Sequence, residues 1–182
     1  MHGVIFLELN RFVGAEFGSQ VWKPAVADAG LSSPVFLPTQ LYPDPDFLAI
    51  VSAVCRRTGR EPAALLEAFG VHIVPSLASL YAALIDANWT LLDLLERTEE
   101  TIHRVVRIRA AGAAPPRLKI RRLDPHQAEI TYMSSRKMCA FARGIVRGLS
   151  KLYEEPVDVT EPECMHHGAA ACRILVKTRG KS

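Results

Sequence analysis

RLKIRRLDPHQAEITYMSSR, residues 117–136, alternates apolar and polar residues on either side of Asp124-Pro125. A period of two interrupted by a turn pair predicts an antiparallel β-hairpin. The first arm holds the densest basic run of the chain, in which Lys119 and Arg121 alternate with Leu118 and Ile120, as on the wet face of a strand. The second arm ends on Tyr132, Ser134 and Arg136 at every second position. Alternate residues of an extended segment share a face, so a phenol, a hydroxyl and a guanidinium would converge on one spot. All three donate hydrogen bonds, which suits an anionic acceptor.

Upstream of this hairpin the periodicity is helical. A helix over 3–17 is stopped by Gly18, and Ser19 is placed to cap a second helix that runs to about Ala29, before Gly30. SSPVFLPTQLYPDPD, residues 32–46, breaks the pattern, and a helix from about Pro45 to Thr58 ends at Gly59. The next segment starts with Pro62 in its first turn and is expected to break or kink at Gly70 and Pro75. TLLDLLERTEETIHRVVRIRA, residues 90–110, reads as one long helix with its stripe at Leu91, Leu95, Thr98, Ile102 and Val105. Downstream, a helix from about Arg136 to Tyr153 precedes a second hairpin, VDVTEPEC (157–164) and CRILVKT (172–178). The fold class that follows is α+β: a helical N-terminal part packed on a small antiparallel sheet, in a single domain over residues 1–182.

Composition narrows the function. The 182 residues are 49% hydrophobic and 23% charged, ordinary for a soluble globular domain. The net charge of +3 comes from 22 basic and 19 acidic residues, a balance that argues against nucleic acid or an anionic membrane as partner. Glu8 and Arg11 interrupt the apolar start, so no signal peptide is expected, and no apolar stretch is read as reaching the roughly 18 residues of a membrane span. A cytoplasmic protein is expected, in which Cys55, Cys139, Cys164 and Cys172 are reduced and serve as metal ligands or buried thiols. Cys55, on an amphipathic helix, reads as core. Neither a nucleophile–base pair, a Gly-rich phosphate loop nor a paired-carboxylate site is evident, so no enzyme is expected.

His103 lies about 100° round the helix from Ile102, at the edge of the apolar stripe, with Glu99 and Val106 as helical neighbours. A histidine there is either a satisfied, half-buried side chain or a ligand. Similarly, Tyr132, Ser134 and Arg136 are ordinary residues for a strand end and helix start, where Ser134 or Ser135 would cap the helix. Taken together with the stiff Pro115-Pro116 loop, the two features suit a flat apolar cofactor with two carboxylates, clasped by an imidazole and anchored at its edge, which describes haem.

YMSSR, residues 132–136, resembles the Tyr-x-Ser-x-Arg signature of the haem nitric oxide/oxygen binding family, the H-NOX domains. MHGVIF, at the start of the chain, is similar to the family's Met-x-Gly-x-Ile opening, and IHRVVRIRAAGAAPPRL to its proximal-histidine helix and Pro-Pro-Arg-Leu loop. The resemblance covers essentially the whole chain, in order and separation. It implies that haem b lies buried between the helical part and the sheet. His103 would be the proximal iron ligand, Tyr132, Ser134 and Arg136 the propionate donors, and Pro116 the proline that presses on the porphyrin. Phe141 stands where oxygen-binding members carry a distal tyrosine, and Ile5 and Leu9 match distal-pocket positions without donors. Bound dioxygen needs a buried donor and nitric oxide does not, so selectivity for nitric oxide is expected, with carbon monoxide as a further ligand. The resemblance further implies a stand-alone sensor in which nitric oxide releases the proximal histidine and shifts its helix. The signal would pass to a histidine kinase or a cyclic-di-GMP enzyme in trans.

Cys164 and Cys172 would face each other across the second hairpin, with Cys139 approaching from the preceding helix, which would give three soft ligands for tetrahedral zinc. His166, His167 or Glu161 would complete the set; some bacterial H-NOX proteins have a zinc site with a histidine where this chain has Glu161. Two rival readings remain open on the residues: a zinc or cysteine redox module that binds a small apolar ligand without haem, and an oxygen-binding haem protein.

Overall fold

The computed structural model describes residues 1–109 and 112–179. Seven helices and four strands follow in the order α1 (Gly3–Phe17), α2 (Trp22–Asp28), α3 (Asp44–Thr58), α4 (Pro62–Leu80), α5 (Leu91–Thr98), α6 (Arg104–Arg109), β1 (Arg117–Asp124), β2 (Gln127–Met133), α7 (Cys139–Leu152), β3 (Val157–Glu163) and β4 (Cys172–Thr178). The sheet is antiparallel throughout, in the order β1-β2-β4-β3. The expected α+β class, helices packed on a small antiparallel sheet, is what the chain adopts.

Apolar burial divides into two clusters. One gathers α1 to α4 around Phe6, Phe12, Phe47 and Phe69; the other gathers α5, α7 and the inner face of the sheet around Leu91, Ile130, Ile174 and Val176. Ile145 of α7 packs against both. The sheet face follows the period of two: Ala128, Ile130 and Tyr132 of β2 are buried, while Gln127, Glu129 and Thr131 between them are partly exposed.

Several local expectations are corrected. Gly70 and Pro75 do not break α4, which is continuous from Pro62 to Leu80. Gly70 is instead a contact point, because a Cβ there would overlap the carbonyl oxygen of Phe141 in α7. The same helix, 19 residues of mean hydropathy 1.5, does have the length and apolarity of a membrane span, contrary to the sequence reading. In this fold its glycine side lies on α7, as the core helix of a folded domain does. Ser19 caps nothing; the chain turns at Ser19–Val21 and α2 begins at Trp22 without a side-chain cap.

Residues 91–109 are helical but not uniformly so. Thr90 and Asp93 form a capping box that starts α5. A π turn over Glu99–His103 then separates α5 from α6. The hydroxyls of Thr98 and Thr101 donate back to the carbonyls of Leu94 and Arg97, a bonding pattern that loosens helical geometry. The widened turn carries one extra residue, and Val106 rather than Val105 reaches the interior. The expected helix end at Ala110 lies outside the described residues.

Candidate functional site

Between the two clusters lies an apolar cavity of about 280 Å³, an order of magnitude more than the ~30 Å³ share of one water. One wall is the His103 segment with Ile102 and Val106, continued by the Ala113–Pro116 loop. Met1, His2, Val4 and Ile5 of the N-terminal part, Leu77 and Tyr81 of the α4 end, and Phe141 and Ile145 of α7 form others. Tyr132 and Arg136 stand together at one border.

His103 is 15% exposed, and its Nδ1 lies 2.9 Å from Oε2 of Glu99. Burial holds the imidazole below its ordinary pKa against the pull of Glu99, which favours the neutral ring a metal needs. Burial also opposes the charge of Glu99, but hydrogen bonds from His103, Arg107 and the Leu118 amide outweigh it and keep the carboxyl below its usual range.

Of the expected signature triad, Tyr132 and Arg136 line the cavity and Ser134 does not. The strand ends sooner than an extended 132–136 segment requires. Tyr132 pairs with Cys172, the first residue of β4, so the chain has no ladder partner beyond it on that side. It turns instead: Ser134 Oγ accepts the Arg136 amide at 3.3 Å, and Lys137 takes a left-handed φ of 50°. The following helix therefore begins at Cys139, not Arg136, with no serine cap. Burial raises the pKa of the Tyr132 hydroxyl, against the opposing influence of Ser134 and Arg136. Arg136 grips the Asp44 carboxylate at 3.2 and 3.3 Å and donates to the Ala114 carbonyl at 2.6 Å, fixing the loop before Pro115-Pro116.

Ile5, Phe141 and Pro116 line the cavity, whereas Leu9 is fully buried in the N-terminal core and does not. Phe141 stacks on Phe69 at 5.1 Å. Two polar side chains of the lining escaped the sequence reading. His2 has a buried Nδ1 without a hydrogen-bond partner, and Tyr81 is half-buried with its phenol pKa raised by burial. The His2–Leu41 bridge that folds the N-terminus over the cavity is a long-range contact with no local signal.

A flat, apolar group carrying carboxylates fits these walls. An imidazole stands on one side, an aromatic and an aliphatic residue come from other elements, and a guanidinium that already holds a carboxylate stands at the edge.

Cys139, Cys164 and Cys172 converge behind Tyr132, with Sγ separations of 3.6 Å (139–164) and 3.8 Å (164–172). A tetrahedron with Zn–S bonds of about 2.3 Å has edges of about 3.8 Å, so the thiols are spaced for a shared ion. Burial raises the pKa of Cys139 and Cys172, with neighbouring thiols and Glu161 adding to the effect on Cys139. The fourth residue of the cluster is Glu161, within 4.8 Å of the thiols, and not His166. His166 sits in a 3-10 turn with its Nε2 on the Lys137 carbonyl at 2.8 Å, and His167 is exposed in the same turn. A register shift in β3 between Thr160 and Glu163 re-aims Glu161 inward, where Arg143 binds one oxygen and Oε1 is buried without a partner. Cys55 is buried in the N-terminal core, as expected.

The fold has close counterparts among solved structures. An H-NOX protein from S. oneidensis in the Fe(II)NO ligation state superposes with a TM-score of 0.92 at 24% identity, covering 99% of this chain and 100% of that one. The Fe(II) unliganded H-NOX protein from K. algicida gives 0.90 at 19% identity, covering 100% and 98%. The I5F mutant of T. tengcongensis H-NOX gives 0.87 at 22% identity, covering 99% and 98%. No curated protein matches the chain. The family model described as Haem-NO-binding matches residues 2–161, and the chain belongs to that family.

Proposed function

We propose that this chain is a haem-based gas sensor, a single domain over residues 1–182 that takes nitric oxide at ferrous iron and signals to a separate protein. The observation that carries the reading is the cavity lining: His103 on one wall, Pro116 beside it, Phe141 from α7 and Arg136 with Tyr132 at the edge. Haem, when bound, supplies the iron that takes the gas. His103 would offer its Nε2 to that iron while Nδ1 remains with Glu99. Arg136 and Tyr132 would donate to the propionates, with Arg136 exchanging or sharing its Asp44 partner. Pro115-Pro116, held by the Arg136–Ala114 bond, would press on the macrocycle from the cavity wall. Phe141 and Ile5 exclude water and offer no donor to a diatomic ligand, which favours nitric oxide, and carbon monoxide after it, over oxygen.

Release of His103 would free the Glu99–His103 turn and α6, which follows it directly, to shift against β1. A histidine kinase or a cyclic-di-GMP enzyme in the cytoplasm is the proposed receiver of that shift. The expected spectrum of reduced protein is five-coordinate, unchanged by air, altered by nitric oxide, and lost or altered in His103→Ala. A stable oxygen complex would instead identify an oxygen carrier, with His2 or Tyr81 as the hidden donor. Absence of any Soret band in haem-supplied protein would overturn the haem reading.

The cysteine cluster supports a second bound group. Cys139, Cys164, Cys172 and Glu161 would hold zinc, as the spacing of the thiols and the partnerless Glu161 oxygen suggest. Cys172 lies directly across the β2–β4 ladder from Tyr132, so this group would brace the strand that carries the cavity border.

A further inference from the structure

Glu99 opens the π turn that His103 closes, and its carboxylate joins three elements. Oε2 lies 2.9 Å from Nδ1 of His103 and 3.2 Å from the amide of Leu118 in β1, while Oε1 accepts from Arg107 of α6 at 2.5 Å. Both oxygens are thus occupied by donors from fixed backbone or from the same helix, which leaves the carboxylate little freedom to turn away from the imidazole. A ring N–H given to a carboxylate fixes the tautomer, leaves Nε2 free for a metal and makes the imidazole a stronger electron donor.

We propose that Glu99 is a positioning residue for the iron ligand, strengthening the iron–imidazole bond of His103 and anchoring it to β1 and α6. The proposal rests on the haem reading above. It sets the sensor's threshold: the stronger the hold on His103, the more strongly nitric oxide must compete before the histidine lets go. It also gives a displaced His103 a route outward, since Glu99 cannot follow the ring without loosening Leu118 or Arg107.

The test is resonance Raman spectroscopy of the ferrous, haem-loaded chain and of Glu99→Gln and Glu99→Ala. The iron–histidine stretch is expected to shift downward from wild type to Gln and further to Ala. Gln keeps an acceptor without the charge, whereas Ala removes both. Haem loss to a scavenging apoprotein is expected to quicken by about 10–100-fold in Glu99→Ala, as for other carboxylate partners of metal-bound histidines. The nitric oxide complex is expected to move toward the five-coordinate form. Thr101→Val, which removes the hydroxyl bonded to Arg97 without touching His103, should leave the stretch in place.

An unshifted stretch in both Glu99 variants would overturn the proposal, and so would an equal shift in Thr101→Val, since that would mean general loosening of the turn. If the wild-type chain shows no His103-dependent stretch at all, the haem reading falls first and this proposal with it.

Discussion

Gly70 of α4 and Gly144 of α7 face each other where the two helices touch backbone to backbone. A Cβ on Gly70 would overlap the carbonyl oxygen of Phe141, and one on Gly144 the carbonyl oxygen of Glu67. This contact sets how closely α7, with Phe141 and Ile145, approaches the helical part, and so fixes a wall of the cavity. Gly144→Ala is expected to destabilise the protein by about 1–3 kcal/mol, since neither backbone can yield without moving a helix. Gly14 in α1 has open space around it, and Gly14→Ala is expected to stabilise by about 0.5–1 kcal/mol through helix propensity. Urea denaturation of the two variants checks the opposite signs.

The capping box of α5 carries a pH signature. Hydrogen bonds from the Thr90 hydroxyl and amide lower the Asp93 pKa, burial opposes them, and Arg122 adds to the lowering. A carboxyl whose folded pKa is depressed contributes stability above its unfolded value of about 3.9 and loses it as the pH falls through the folded value. Asp93→Asn should therefore be less stable than wild type at pH 7, with the gap closing below about pH 4. Thr90→Ala, which costs the cap directly, is expected to lose about 0.5–2 kcal/mol at pH 7. Thermal melts across the acid range decide it: a gap that stays constant with pH would show that Asp93 acts only as a neutral acceptor.

Much of this was legible in the sequence because the signals are local. Gly18 and Gly59 stop their helices through positive φ, and the two hairpins follow from alternation around a turn. His103, Pro116, Ile5, Phe141, Tyr132 and Arg136 do come together on one cavity. What sequence reading missed depends on distant partners. Gly70 reads as a helix breaker until α7 is seen against it. Ser134 leaves the cavity border because β4 begins at Cys172 and offers β2 no further partner. The choice among Glu161, His166 and His167 for the cysteine cluster, open on the sequence, falls to Glu161 through a bulge, whereas His166, two residues after Cys164, is drawn to the Lys137 carbonyl. The π turn at Glu99–His103 is written in two threonines, a signal too weak to act on alone.

Zinc at the cysteine cluster should be measurable directly. Purified protein is expected to hold a single zinc per chain by elemental analysis, and Cys172→Ser to lose it. Glu161→Ala keeps the three thiolates and is expected to bind zinc but to release it faster to a chelator, as loss of one of four ligands requires. Removing the ion should lower the melting temperature, because the cross-link among α7, β3 and β4 is lost and the freed thiolates must take up protons, their pKa being raised by burial. Metal-free wild-type protein with an unchanged melting temperature would mean that the thiols simply pack as small apolar side chains.

Arg136 offers the sharpest separation between anchoring the cofactor and stabilising the fold. Its guanidinium holds Asp44 and the Ala114 carbonyl, and it is 12% exposed, so its hydrogen bonds are largely shielded from water. Charge-assisted bonds of this kind are worth about 1.5–3 kcal/mol, which corresponds to roughly 10–100-fold in an equilibrium constant. Arg136→Leu is expected to weaken haem retention by that factor while preserving the position of the iron–histidine stretch, because His103 and Glu99 are on another element. Asp44→Asn removes the carboxylate that competes for the same guanidinium, and is expected to leave retention equal or higher. Should Asp44→Asn lose haem as readily as Arg136→Leu, Asp44 would be aligning the guanidinium rather than competing for it, and the border would be a fixed ion pair that the propionates merely join.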